Sequence, residues 1–307
     1  MGKLFISYDC EGIWGMLDDL ERLDESVFKR ESLLALYSEI VRLHEEFALA
    51  ATFAFVGAFV TPRAEFLALR TKYSNARAVN DWCGKLESPE CKFTARDVHI
   101  PELLEKVQAS SVRHEVASHG FSHVIMSGDL DRSSIEFELE GLRKFSDQND
   151  THTSTIVFPR NVVNYEFLSR ATNIVGFRAP PRQISTRIWM QRGYSLLKEF
   201  WPFCRSENVT QSGGKIAIPG DFFINWRRGP RRLVPVSLTL WRFRSALEHA
   251  CRNDGIVHIW LHPHNLLTGR NQLKLLKEML AVANEYKCKN GLRVLTQREF
   301  IVGGNQS

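Results

Sequence analysis

Two carboxylates one residue apart, Asp9 and Glu11 in Tyr8-Asp9-Cys10-Glu11-Gly12, stand at the end of the first apolar run, and a glycine follows that lets the chain turn sharply. Acids this close repel unless a cation neutralises one or the two share a proton, so the pair points to a metal or to acid/base work, against the plain alternative of a solvated loop. The second pair is His119 and His123, in His119-Gly120-Phe121-Ser122-His123 directly after a short apolar segment. On a helical turn that spacing puts both imidazoles on one face. With a carboxylate they make a three-ligand set that leaves a position for water, the arrangement catalytic zinc uses. One half-buried and one surface histidine is the plain alternative.

Two further groups sit at the ends of apolar runs. His258-Ile259-Trp260-Leu261-His262-Pro263-His264-Asn265 delivers His262 just before a proline, where an imidazole can protonate a leaving group, while His258 is expected to face away. Arg160 in Phe158-Pro159-Arg160-Asn161 and Arg178 in Phe177-Arg178-Ala179-Pro180 are arginines beside rigid prolines, able to clamp a carboxylate bidentately. The order of these signals along the chain carries more weight than any one of them.

Something must hold these ends in one place, and the alternation of short apolar runs with helix-period segments predicts a mostly parallel sheet wrapped by helices. Strands are expected over residues 3–8, 51–56, 115–118, 155–158, 174–178 and 256–261. Helices are expected over 26–47, with Ser26 as cap, from Thr61-Pro62 onward, and over 133–145, 164–171, 240–252 and 271–286. Residues 75–100 read as an irregular connection that shapes a substrate groove through Trp82, residues 194–235 as less regular, and 292–300 as a final element. Polar residues of interest at strand ends, not strand middles, match where active sites lie in barrels and open α/β sheets.

A chain of 307 residues with 44% hydrophobic content can bury a full core, and one domain over 1–307 is expected. The net charge of +5 is spread along the sequence, which argues against a nucleic-acid surface. Six cysteines without CxxC spacing suggest free thiols in a reducing compartment. The run Leu4-Phe5-Ile6 is too short for a signal peptide, and no stretch is apolar enough to span a bilayer, so a cytoplasmic protein is expected.

Together, Asp9-Cys10-Glu11-Gly12, the His119/His123 pair and Leu261-His262 resemble the motifs of the polysaccharide deacetylase (NodB-like, carbohydrate esterase family 4) superfamily, over residues 3 to about 300. The resemblance implies a deformed (β/α) barrel, Asp9 as base, Glu11, His119 and His123 as ligands of a divalent ion, most readily Zn2+, and His262 as acid. The family's adjacent aspartates are replaced here by an Asp-x-Glu variant. Its arginine is divided between Arg160, which fits by distance from the histidines and is preferred, and Arg178, which fits by the following Pro180. The implied activity is removal of an N-acetyl group from a sugar. In a cytoplasmic protein this suggests a lipid- or nucleotide-linked intermediate of surface polysaccharide (O-antigen-like) synthesis, with Trp226 stacking on a ring and Arg228, in the basic run 227–232, meeting a diphosphate. A non-catalytic carbohydrate-binding relative and a cyclic-amide hydrolase of the same superfamily are the rival readings.

Overall fold

The computed structural model describes residues 1–148, 151–180, 209–225, 227 and 229–304. Its strands are β1 (Lys3–Cys10), β2 (Thr52–Phe55), β3 (Glu115–Ser118), β4 (Thr155–Ile156), β5 (Gly176–Arg178), β6 (Thr210–Ser212), β7 (Lys215–Ile218), β8 (Phe222–Phe223), β9 (Ile256–Leu261) and β10 (Arg293–Val294). They form one sheet in the order β6-β7-β5-β4-β3-β2-β1-β9-β8, with β10 paired to the start of β1. Every pairing is parallel except the β6–β7 hairpin, which turns at Gly213-Gly214 with both glycines at positive φ, the conformation a tight two-residue hairpin turn demands. Helices follow most of the parallel strands and cover the outside, and the sheet curls into the deformed (β/α) barrel that the motifs imply.

Side chains alternate across the sheet, and this alternation assigns β1 its two tasks. Leu4, Ile6, Tyr8 and Cys10 enter the main core, shared with Leu33, Leu36, Tyr37 and Ile40 of the helix Arg30–Phe47. On the other face, Phe5 packs with Ile218, Ile256 and Ile301 at one end of the barrel, and Ser7 and Asp9 follow at the same period.

Some local expectations need correction. The first long helix is broken at Lys29 (φ −65, ψ 143) into Glu25–Phe28 and Arg30–Phe47, and Asp24 rather than Ser26 supplies the cap by accepting from Ser26 N. The stretch 75–100 holds the helices Arg77–Gly84 and Ala95–Val98, with Val79, Trp82 and Cys83 buried. Within 194–235, the strands β6, β7 and β8 extend the sheet. Of the cysteines, Cys10, Cys83, Cys91, Cys251 and Cys288 are free thiols, and Cys204 lies outside the described residues. Among the described residues no helix is long and apolar enough to cross a membrane.

Buried histidines give this fold a pH signature. Burial lowers His44 to about 4, and burial with the nearby charge of His44 lowers His114 to about 3. Their rings lie 5.2 Å apart, with His44 bonded to Tyr8 and to the Leu49 carbonyl. In the unfolded chain each ring takes a proton below about pH 6.5, whereas the folded rings stay neutral, so between those limits the unfolded state binds more protons and stability falls with falling pH. Each ring is expected to cost about 2 kcal/mol at pH 5 relative to neutrality. Denaturant unfolding at pH 7 and pH 5 measures this, and His114→Gln should shrink the difference by one ring's share. A stability that stays flat over that range would show that the rings carry charge inside the fold.

Candidate metal centre and its surroundings

Asp9 and Glu11 reach the same cavity by different routes. Asp9 is on the inward face of β1, whereas Glu11 follows the strand and folds back over the turn Gly12–Met16. Gly12 adopts φ +48, and a Cβ there would strike the Phe59 ring at 2.5 Å. A Cβ on Gly15 would lie 2.1 Å from the Glu11 carboxyl carbon, so only glycine leaves room for that carboxylate.

The loop after β3 brings the imidazoles to Glu11. His119 Nε2 is 3.2 Å and His123 Nε2 2.9 Å from Glu11 Oε2, all three side chains being buried. The expectation of a helical turn is wrong here. Residues 119–123 are irregular, with Gly120 at φ 74 and His123 at φ 63, and it is these left-handed positions that turn both rings to one side. Two anchors hold the loop. Phe121 fills spaces that exist because Gly57 and Gly141 have no side chain. Glu138, on the helix Arg132–Gln148, is fully buried and accepts from Phe121 N at 2.5 Å, Ser122 N at 2.9 Å and the Ser122 hydroxyl. Its position 15 residues beyond His123 left no local sequence signal.

Glu138→Ala would leave two buried backbone donors unpaired, at about 1–3 kcal/mol each. The expected result is lower stability together with a metal affinity weaker by roughly 10–100-fold, read by chelator competition. Unchanged affinity in a destabilised variant would mean that the loop holds its shape without this carboxylate.

The donor set fits a cation. His119 Nδ1 donates to the Val157 carbonyl at 2.8 Å, which leaves the lone pair of neutral His119 on Nε2, facing an anionic oxygen. His123 Nε2 is close to Glu11 Oε2 yet outside hydrogen-bonding geometry, and neither ring nitrogen of His123 has a hydrogen-bond partner. Separations near 3 Å between donors approach those around a four-coordinate ion with bonds of about 2.0–2.1 Å. Burial raises the Glu11 carboxyl, but the neighbouring imidazoles of His262, His123 and His119 outweigh it and hold the group well below the ordinary carboxylate range. Glu11 with His262 and His264 forms a second group whose donor atoms lie within 4.8 Å of one another.

Of the two candidate arginines, Arg178 rather than Arg160 holds Asp9. Arg178 Nη1 and Nη2 donate to Asp9 Oδ1 and Oδ2 at 2.6 and 2.7 Å, with both side chains almost wholly buried. Nη2 also reaches Asn161 Oδ1 at 3.3 Å, and the guanidinium lies 4.1 Å from the Trp260 ring centroid. Burial raises the Asp9 carboxyl, and Arg178, then His119, more than reverse the effect, leaving it below its ordinary value. Arg160, with left-handed φ 53, is turned away to the Gly15 carbonyl at 3.0 Å and Asp18 at 2.6 Å, at the cavity rim.

His262 follows β9 and places Nε2 3.4 Å from Glu11 Oε1 and 3.9 Å from Asp9 Oδ2. Trp82, expected in a substrate groove, is instead buried behind His123, with ring centroids 6.0 Å apart. Trp226 and Arg228 lie outside the described residues. Arg227 bonds to Gln272 and the Val234 carbonyl, whereas Arg231 lines the cavity. That cavity, about 600 Å³, is bounded by Asp9, Glu11, His119 and His262 on one side and by Asp18, Asp19, Arg160, Asn225 and Arg231 towards the mouth.

No family model matches the sequence, and no curated protein matches it. Solved structures do. A putative polysaccharide deacetylase of Mycobacterium smegmatis is similar with a TM-score of 0.58 at 13% identity, over 100% of this chain and 92% of that one. Puue allantoinase is similar with a TM-score of 0.55 at 10% identity, over 99% and 90%. A probable polysaccharide deacetylase of Pseudomonas aeruginosa PAO1 reaches 0.53 at 10%, also over 99% and 90%. The chain therefore has the fold of the NodB-like polysaccharide deacetylase superfamily.

Proposed function

We propose that the protein is a metal-dependent hydrolase that removes the N-acetyl group from a sugar, releasing acetate and a free amine. One observation carries the reading: a carboxylate with two imidazoles, an arginine-clamped carboxylate and a further imidazole meet at one cavity beyond the carboxyl ends of parallel strands. Glu11, His119 and His123 would hold the ion, and two imidazoles with a carboxylate favour zinc. A divalent ion there supplies acidity to water and polarises a carbonyl.

The protein's own groups supply the proton transfers. Asp9, kept ionised and in one orientation by Arg178, accepts the proton of the attacking water. With the Asn265 Nδ2 amide group 3.3 Å from His262 Nδ1, that ring nitrogen accepts and the ring proton sits on Nε2, on the side of Asp9 and Glu11. There it is placed to protonate the departing amine. The proposed sugar is carried on a lipid or nucleotide diphosphate, as an intermediate of surface polysaccharide synthesis, and Arg231 in the cavity wall supports an anionic carrier. The allantoinase among the similar structures supports a second reading, in which the same groups open a cyclic amide.

Metal content of the purified protein, with acetate release from free, nucleotide-linked and lipid-linked N-acetyl sugars, tests the proposal. Cyclic ureides and imides belong in the same panel. Acetate release supports the deacetylase; ring opening transfers the assignment to the second reading. Stoichiometric metal with no turnover on either set would leave a carbohydrate-binding relative without catalysis.

A further inference from the structure

His258 was expected to face away from the site, yet it shares the inward face of β9 with Trp260, and the parallel register sets His258 level with Phe5 and Trp260 level with Ser7, two layers and one layer beneath Asp9. It is 3% exposed, and its two nitrogens have partners that leave no ambiguity about direction. Nδ1 meets the Pro219 carbonyl at 2.7 Å, and a carbonyl only accepts, so Nδ1 carries the proton. Burial, then the Arg178 charge, hold the ring neutral by lowering it to about 3. Nε2 therefore accepts from the Ser7 hydroxyl at 2.8 Å. With its proton committed, Ser7 Oγ offers a lone pair to Arg178 Nη1 at 3.4 Å, the nitrogen that also donates to Asp9 Oδ1.

We propose that His258, acting through Ser7, is a positioning residue: it orients the Ser7 oxygen as an acceptor and so sets the Arg178 guanidinium that holds Asp9. The surroundings are built for this. The Pro219-Gly220 segment accepts from His258 and, through the Gly220 carbonyl, from Trp260 Nε1 at 2.9 Å. A Cβ on Gly220 would meet the Arg178 stem at 2.7 Å, so the segment that fixes the histidine also leaves the arginine its path. Trp260 covers the guanidinium face, which leaves Ser7, Asn161 and Asp9 as in-plane acceptors among the described residues.

The inference concerns the Asp9 side of the proposed site, and its test has a part that does not depend on turnover. Nitrogen-15 NMR of the intact protein should show the Nδ1-protonated His258 tautomer and slowly exchanging, distinct Nη signals for Arg178. In His258→Leu and in Ser7→Ala, a small change chosen to preserve folding, the Arg178 signals should broaden or merge, whereas His258→Gln, which keeps an acceptor for Ser7, should restore them. The Nε2-protonated tautomer, or Arg178 signals unchanged in both variants, would overturn the proposal. On a substrate the panel identifies, kcat should fall about 10-fold in either variant with KM and bound metal unchanged, and the double variant should be no worse than the single ones. Additive losses, or loss of metal, would reduce His258 to a packing residue. A panel without turnover would count against the hydrolase reading while the NMR result still decides this one.

Discussion

His119→Ala is expected to yield a folded protein that retains no divalent ion. The imidazole supplies one of the three donors, with Glu11 and His123, and its tautomer is set by the Val157 carbonyl. Spread over its ligands, a site of this kind gains on the order of 3 kcal/mol per ligand, so losing one weakens binding more than 100-fold. Metal per protein after dialysis against a weak chelator measures it, with circular dichroism to verify the fold. A variant that holds metal as well as the unaltered protein would remove His119 from the centre and, with it, the proposed use of His123.

Asp9→Asn is expected to separate metal binding from turnover. Asp9 lies outside the Glu11, His119 and His123 donor set, so bound metal should be unchanged, while loss of the base should cost roughly 10²–10⁴ in rate. The substitution also strands the Arg178 charge, and breaking such a buried pair costs about 3–5 kcal/mol. The double variant Asp9→Asn with Arg178→Met removes both charges and should recover much of that stability without recovering turnover. Metal lost together with activity in Asp9→Asn would mean that the two acids do not divide the work as proposed. Near-normal turnover would remove Asp9 from the reaction.

How much of this could be read from the chain depended on how local each signal was. β3 and β9 were delimited to the residue, because short apolar runs ended at polar residues in both cases. The helix Arg77–Gly84 escaped notice because it buries only Val79, Trp82 and Cys83, too few for a periodic stripe. β6 to β8 are two to four residues long and partly polar, and they exist because β5 and β9 offer them edges. The residue types at the candidate centre were legible as strand-end acids and imidazoles. What was not legible was everything that acts across the fold: which arginine reaches Asp9, the carboxylate of Glu138 beneath the histidine loop, and the inward turn of His258. Arg160 and Arg178 look alike in sequence, and only the left-handed backbone at Arg160 diverts it to Asp18.

The spacing of the two acids has a consequence for anyone re-engineering this centre. Because β1 alternates, Cys10 is turned into the helix-facing layer, fully buried, while Asp9 faces the barrel. An attempt to install neighbouring aspartates by placing one at position 10 would drive an anion into oil beside Tyr37, not towards His119 and His123. Conversion to the commoner motif would therefore require resetting where the strand ends. The intervening position is open to small apolar residues and closed to charge.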